Sequence, residues 1–221
     1  MSARLRCTAL LLAHIVAAWL GAFSIAAQAA RPFVTDDARI VDNCQIETFY
    51  KQQQTYSGSE FWFLPACNTA VVGLPWSFEV TAGGNRIEDE RNGILQAKFL
   101  LKKLQPNDIG YALSLGVFGD DPYFNFITSR SFANDRFVVH GNLGSFRDNG
   151  GVWGLGLEAL LVAPRVYGIV ETYGQHRETP TWHYGLRFWV IPDRFQIDAT
   201  RGDQTGAGNR QFYTIGLRIL F

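Results

Sequence analysis

Beyond residue 30 the sequence contains no continuous apolar run approaching the roughly 20 residues that a membrane-spanning helix needs. Apolar residues at helical spacing are scarce as well. An excess of either charge is also missing. Lys+Arg and Asp+Glu stand at 20 each, which gives no electrostatic reason to expect nucleic acid as a partner. Metal-ligand spacing is absent around Asp36, Asp37 and Asp42, so these read as solvated carboxylates of a turn-like segment. The glycine-bearing stretch 202–208 lacks the lysine of a phosphate-binding loop and reads as an external loop. No metal and no cofactor is expected.

What is present begins with an export address. Arg4 and Arg6 supply a positive start, Ala9 to Ile25 an apolar stretch, and Ala27-Gln28-Ala29 the small-x-small exit read by signal peptidase. Cleavage is expected after Ala29, with a retained membrane anchor as the alternative, and no cysteine at that point suggests a lipoprotein. Cys7 then leaves with the signal peptide. Cys44 and Cys67 remain in a chain bound for an oxidising compartment, which points to one disulfide, the alternative being two buried thiols.

From residue 44 onward the apolar residues alternate. In the last segment Tyr213, Ile215, Leu217, Ile219 and Phe221 share one face, while Phe212, Thr214, Gly216, Arg218 and Leu220 share the other. Trp182, Tyr184, Leu186, Phe188 and Val190 oppose His183, Gly185, Arg187 and Trp189 in the same way. A period of two is that of a β-strand with one apolar and one more polar side. Turn residues divide the chain into about twelve such segments: 45–56, 59–68, 74–83, 92–104, 109–118, 123–131, 135–146, 151–162, 165–174, 181–191, 194–201 and 211–221. Most are near the 9–11 residues of a tilted membrane strand. The joints at 162–165 and 191–194 are tight, whereas 83–91, 175–180 and 202–210 are longer, as expected of a periplasmic and an external rim respectively.

A sheet can cross a bilayer only if it closes on itself, because no backbone group may go unpaired in hydrocarbon. A soluble sandwich or small ligand-binding barrel would alternate too. Aromatics near strand ends (Trp76, Trp153, Trp182 and Tyr213) suit interfacial girdles and favour the membrane reading. The fold expected is all-β: a closed antiparallel transmembrane β-barrel of about 12 strands in the bacterial outer membrane. Residues 1–29 would be the signal peptide, 30–43 a periplasmic N-terminal segment and 44–221 the barrel.

Two stretches resemble known families. The final strand, with Thr214, Gly216, Ile219 and Phe221, resembles the C-terminal insertion signal of outer-membrane proteins, Ile219 standing where an aromatic is often found. That resemblance implies the barrel-assembly machinery as a partner, in addition to outer-membrane lipid. The stretch from Arg31 to Asp42, followed by Cys44-Gln45-Ile46-Glu47-Thr48, resembles the opening of the MetA-pathway-of-phenol-degradation family of outer-membrane transporters. It covers about twenty residues and the strand layout, and implies passage of a small-molecule solute.

A charge on the lipid face near the midplane costs roughly 2–4 kcal/mol, so the strand charges are expected inside. Glu47, Lys51, Glu79, Lys98, Lys102, His140, Glu158, Glu171, His183, Arg187, Asp198 and Arg218 are the candidate lumen-lining residues. Glu171 would bring Tyr167, Ile169 and Tyr173 inward with it. These charges either line a water-filled path of little ion selectivity or pair across a filled interior. His140, Asn142 and Ser145 raise a hydrolase, but Ser145 falls on the opposite face of the strand from His140. The functional expectation is therefore a passive channel or transporter for small molecules. A non-conducting structural or surface-interaction barrel is the alternative, and a lipid hydrolase, which would need catalytic residues the pattern does not supply, is the third.

Overall fold

The computed structural model describes residues 34–53, 59–73, 77–206 and 210–221; the expected signal peptide, Arg31–Phe33 and Trp76 lie outside the described residues. Twelve strands follow in order: β1 (Cys44–Gln53), β2 (Ser59–Asn68), β3 (Phe78–Ile87), β4 (Glu90–Lys102), β5 (Ile109–Phe118), β6 (Asp121–Phe132), β7 (Phe137–Phe146), β8 (Gly150–Val162), β9 (Val166–Gln175), β10 (Thr181–Ile191), β11 (Phe195–Gln204) and β12 (Phe212–Leu220). Each pairs antiparallel with its sequence neighbours, and β1 pairs with β12, so the barrel is closed. At the seam the Cys44 amide donates to the Phe221 carbonyl at 3.1 Å and the Phe221 amide to the Cys44 carbonyl at 3.0 Å. Closure leaves no strand edge unpaired, the condition for crossing hydrocarbon.

The alternation sorts the side chains into two environments. Leu95, Leu143, Leu155, Leu186, Ile215 and Ile219 stand exposed on the outer wall, among many other large apolar residues. An apolar surface continuous around the barrel is unfavourable in water by roughly 25 cal/mol per Å² and suits acyl chains instead. Lys98, His140, Glu158, Glu171, Arg187, Asp198 and Arg218 are buried on the inner face. Trp153, Trp182 and Tyr213 lie exposed near the ends of β8, β10 and β12 on the rim away from the chain termini.

Three expectations need correction. The stretch 83–91 is not a long loop: β3 continues to Ile87, and only Glu88 and Asp89 separate it from β4. Gly83 and Gly84 read as loop residues, yet they sit in the ladder because the chains come too close there for a side chain. A Cβ on Gly83 would lie 2.2 Å from the Phe63 carbonyl oxygen, and one on Gly84 2.5 Å from that of Asn92. The rims also lack the expected contrast, since the long joint 69–77, with its 3-10 turn Thr69–Val72, lies on the rim that carries the termini. Finally, the ladder between β4 and β5 shifts register between Leu100 and Lys102. That irregularity turns Lys102 out of the lumen to an exposed ion pair with Asp108 at 2.9 Å.

Cys44 and Cys67 are register partners on β1 and β2 and form a disulfide across 23 residues of sequence. In the chain-entropy account such a loop contributes about 3 kcal/mol. The double variant Cys44→Ser/Cys67→Ser is expected to lose about that amount, measured as a shift in the urea midpoint of the lipid-reconstituted barrel. An unmoved midpoint would mean that the bond does not constrain the unfolded chain.

Candidate functional site

The lumen is the candidate site, and two different devices divide it. On the side of β8 to β11, toward the rim carrying the termini, it is filled. Arg187 lies between Glu158 and Asp198, its Nε 2.8 Å from Asp198 Oδ1, and all three are essentially without solvent exposure. Gln196 Nε2 donates to the other Asp198 oxygen at 2.6 Å. Tyr167 and Trp189 pack together beside this group, with Leu160 and Leu220 against them. Buried charges of this kind persist only when paired and hydrogen-bonded. Higher up, His183 Nε2 lies 2.5 Å from Glu171 Oε2, the two being register partners on β10 and β9.

The second device is the N-terminal segment. Residues 30–43 are expected outside the barrel, but the described part, 34–43, runs inside it. The amides of Val34 and Thr35 both donate to the Glu171 carboxylate, the former at 3.0 Å. The Asp36 amide donates to Asn142 Oδ1 at 2.7 Å, and Asn142 Nδ2 returns a bond to the Asp36 carbonyl at 2.8 Å. Further along, the Ala38 amide donates to Ser129 Oγ at 2.9 Å and the Val41 amide to Glu79 Oε2 at 2.9 Å. Asp36 and Asp37 are thus not solvated: Lys98 Nζ lies 2.9 Å from Asp36, 3.7 Å from Asp37 and 3.7 Å from Glu79. The physical reason is Lys98 itself, a buried ammonium facing only one carboxylate of its own sheet at that level; the segment brings it two more. Asp42, by contrast, is exposed.

Around the segment is a cavity of about 470 Å³, walled toward the rim opposite the termini by strands all round the barrel except β11, and toward the other rim mainly by β12, β1, β2 and β3. It reaches from Lys51 and Glu60 near the rim opposite the termini down to Gln45, Ala66 and Arg218 near the other. Its charges come in pairs. Lys51 lies 3.2 Å from Glu60, and Arg218 lies 3.4 Å from Glu47 while its Nε donates to Gln45 Oε1 at 2.7 Å. Aromatic faces stand close to the Lys51–Glu60 pair, at the rim opposite the termini. Trp62 and Phe118 stack with centroids 5.5 Å apart, Tyr123 and Phe146 lie at 5.0 Å, and Lys51 sits 4.9 Å above the Phe212 ring.

The residues singled out in the sequence thus divide among three places. Glu47, Lys51, Glu79, Lys98, Glu171, His183 and Arg218 surround the cavity or the segment. Glu158, Arg187 and Asp198 form the filled floor, and His140 is fully buried beside it. On β12, Thr214 and Gly216 point inward, whereas Ile219 and Phe221 are exposed outside. His140, Asn142 and Ser145 do not assemble: Ser145 Oγ donates to the Phe146 carbonyl, and Asn142 is engaged by Asp36. The serine beside His140 is Ser129, its register partner on β6, with Oγ 2.9 Å from Nδ1. Neither is exposed. No spacing in the sequence could have found that pair, because it exists only through the register of β6 and β7.

No protein-family profile matches the chain, and no curated protein matches it in sequence. Among solved structures the chain is similar to the KdgM porin in complex with disordered oligogalacturonate (TM-score 0.61, 10% identity, 80% of this chain and 99% of that one). It is similar also to the NanC porin (TM-score 0.60, 8% identity, 80% and 100%) and to the outer membrane protein Omp33 of Acinetobacter baumannii (TM-score 0.56, 8% identity, 81% and 98%). At these identities the likeness concerns the fold. Closed barrel, lipid-suited outer wall and polar interior together define the fold of a twelve-stranded bacterial outer-membrane β-barrel.

Proposed function

We propose that the protein is a passive outer-membrane channel for small molecules, whose solute path enters at the rim opposite the termini and descends past the N-terminal segment along β12, β1, β2 and β3. One observation supports this above others: the cavity of about 470 Å³ runs most of the way between the rims through a belt of aromatic faces and paired charges. Each cation along it has a carboxylate within 4 Å, so no field of one sign selects an ion. The solute such a path suits is small and uncharged or zwitterionic, with an apolar surface to lie against Trp62, Phe118 and Phe212. A polyanion like the oligogalacturonate named with the KdgM porin would find Lys51, Lys98 and Arg218 already engaged by carboxylates here, and so no cationic track to follow. In the same reading, Thr214, Gly216, Ile219 and Phe221 of β12 present the signal by which the barrel-assembly machinery inserts the chain.

Planar-bilayer recording tests the proposal. Folded protein is expected to give discrete conductance steps with a reversal potential near zero in a salt gradient. A silent bilayer would favour the second reading, a non-conducting structural barrel, which the filled floor of Glu158, Arg187, Asp198, Tyr167 and Trp189 supports.

A further inference from the structure

We propose that residues 34–41 are a releasable plug: a strap of this chain bound in its own lumen, whose departure widens the path. The proposal rests on the channel reading for its consequence, but the release itself stands on the contacts. The strap belongs to no strand, and the twelve-stranded ladder is complete without it. Its amides bond to side chains instead: Val34 and Thr35 to Glu171, Asp36 to Asn142, Ala38 to Ser129, Val41 to Glu79. Removing it therefore breaks no backbone pairing of the barrel. The groups it leaves behind are the Glu171 and Glu79 carboxylates, the Asn142 and Asn68 amides, the Ser129 hydroxyl and the Lys98 ammonium, which keeps Glu79 as its partner; water satisfies the rest in a hydrated lumen. Its apolar hold is local: Ala38 packs with Ala112, Ile127 and Leu100 and Val41 is buried, but Val34 at its far end is half exposed.

Two features of the barrel wall are shaped to the strap. Lys98 is the cation on which Asp36, Asp37 and Glu79 converge. Without it, Asp36 and Glu79 face each other with no cation between them and Asp37 keeps Arg39 of the strap itself, at 3.6 Å, so repulsion from the wall favours departure. Gly154 of β8 is the steric counterpart. A Cβ there would lie 2.3 Å from Thr35 Oγ1 and 3.2 Å from Thr35 Cβ, so the wall is bare where the strap passes. A bulkier residue at 154 has ample room only if Thr35 leaves.

The test reads release and conduction separately. Ala38→Cys places a thiol at a position with no exposure while the strap is seated. Its reaction with a membrane-impermeant maleimide, above the background of the unaltered full chain, reports exit. Lys98→Met and Gly154→Val, each in the Ala38→Cys background, are expected to raise the labelling rate roughly tenfold or more, by charge and by bulk respectively. Val41→Cys serves as a second reporter should Ala38→Cys fold poorly, and heat-modifiable gel migration shows that each barrel is folded. The same two wall substitutions are expected to raise the conductance. Folded variants whose labelling does not rise overturn the proposal. So does a conductance increase without added labelling, since solute would then pass beside a seated strap. Faster labelling with no current in any variant supports release and overturns the channel reading instead.

Discussion

Replacing Arg187 with methionine is expected to destabilise the folded barrel by about 3–5 kcal/mol. The change removes a guanidinium held between Glu158 and Asp198 in a part of the lumen that has no measurable solvent exposure. Two carboxylates would be left close together without a cation, and the penalty comes from them rather than from the lost attraction. The corollary sharpens the expectation. Adding Glu158→Gln and Asp198→Asn to Arg187→Met is expected to recover most of the loss, because neutral side chains of similar size carry no such penalty. Equilibrium urea unfolding of the three proteins in lipid measures both effects. If the single and triple variants were equally unstable, Arg187 would matter through packing and not charge.

The second large effect concerns the outer wall. Leu155→Arg, on the exposed face in the middle of β8, is expected to cost about 2–4 kcal/mol, whereas Trp153→Arg near the end of the same strand should cost about 1 kcal/mol or less from charge burial. The gradient is the diagnostic feature. A bilayer is driest at its centre, so the cost of a guanidinium rises with depth and falls where the side chain can reach headgroups. Equal and small costs at both positions would mean that water, not lipid, covers this face.

Much of the fold was legible because the period of two is a property of the chain itself. Leu186 and Leu217 fall outward, and Glu158 and Arg187 inward, on spacing and charge alone. The stretch 83–87 was misread because its glycines and polar residues carry turn composition, while the reason for them is a close approach between β2, β3 and β4 that no local pattern displays. Trp62 was equally silent: in Phe61-Trp62-Phe63-Leu64 both faces are apolar, and the alternation has no contrast. For the site the limit is different in kind. The inward charges could be named, but their partners depend on register, as with Ser129 and His140, or on three-dimensional proximity across the lumen, as with Lys98 and Asp36. The segment before β1 looked like a solvated tail because Asp36 and Asp37 are polar. Only the presence of a buried ammonium opposite them shows why they are drawn inside.

The disulfide has a consequence beyond stability. Cys44 is pinned to Cys67 at the very point where the lumen segment joins the wall, and the Asn68 amide holds the Asn43 carbonyl at 2.7 Å beside it. The near end of residues 34–43 is consequently a fixed pivot, and a displaced arm of that length reaches no farther than about 36 Å from it. Tethered ends of this kind meet their binding site at effective concentrations in the millimolar range. Re-entry is then a unimolecular event, independent of protein dilution and in need of no second molecule.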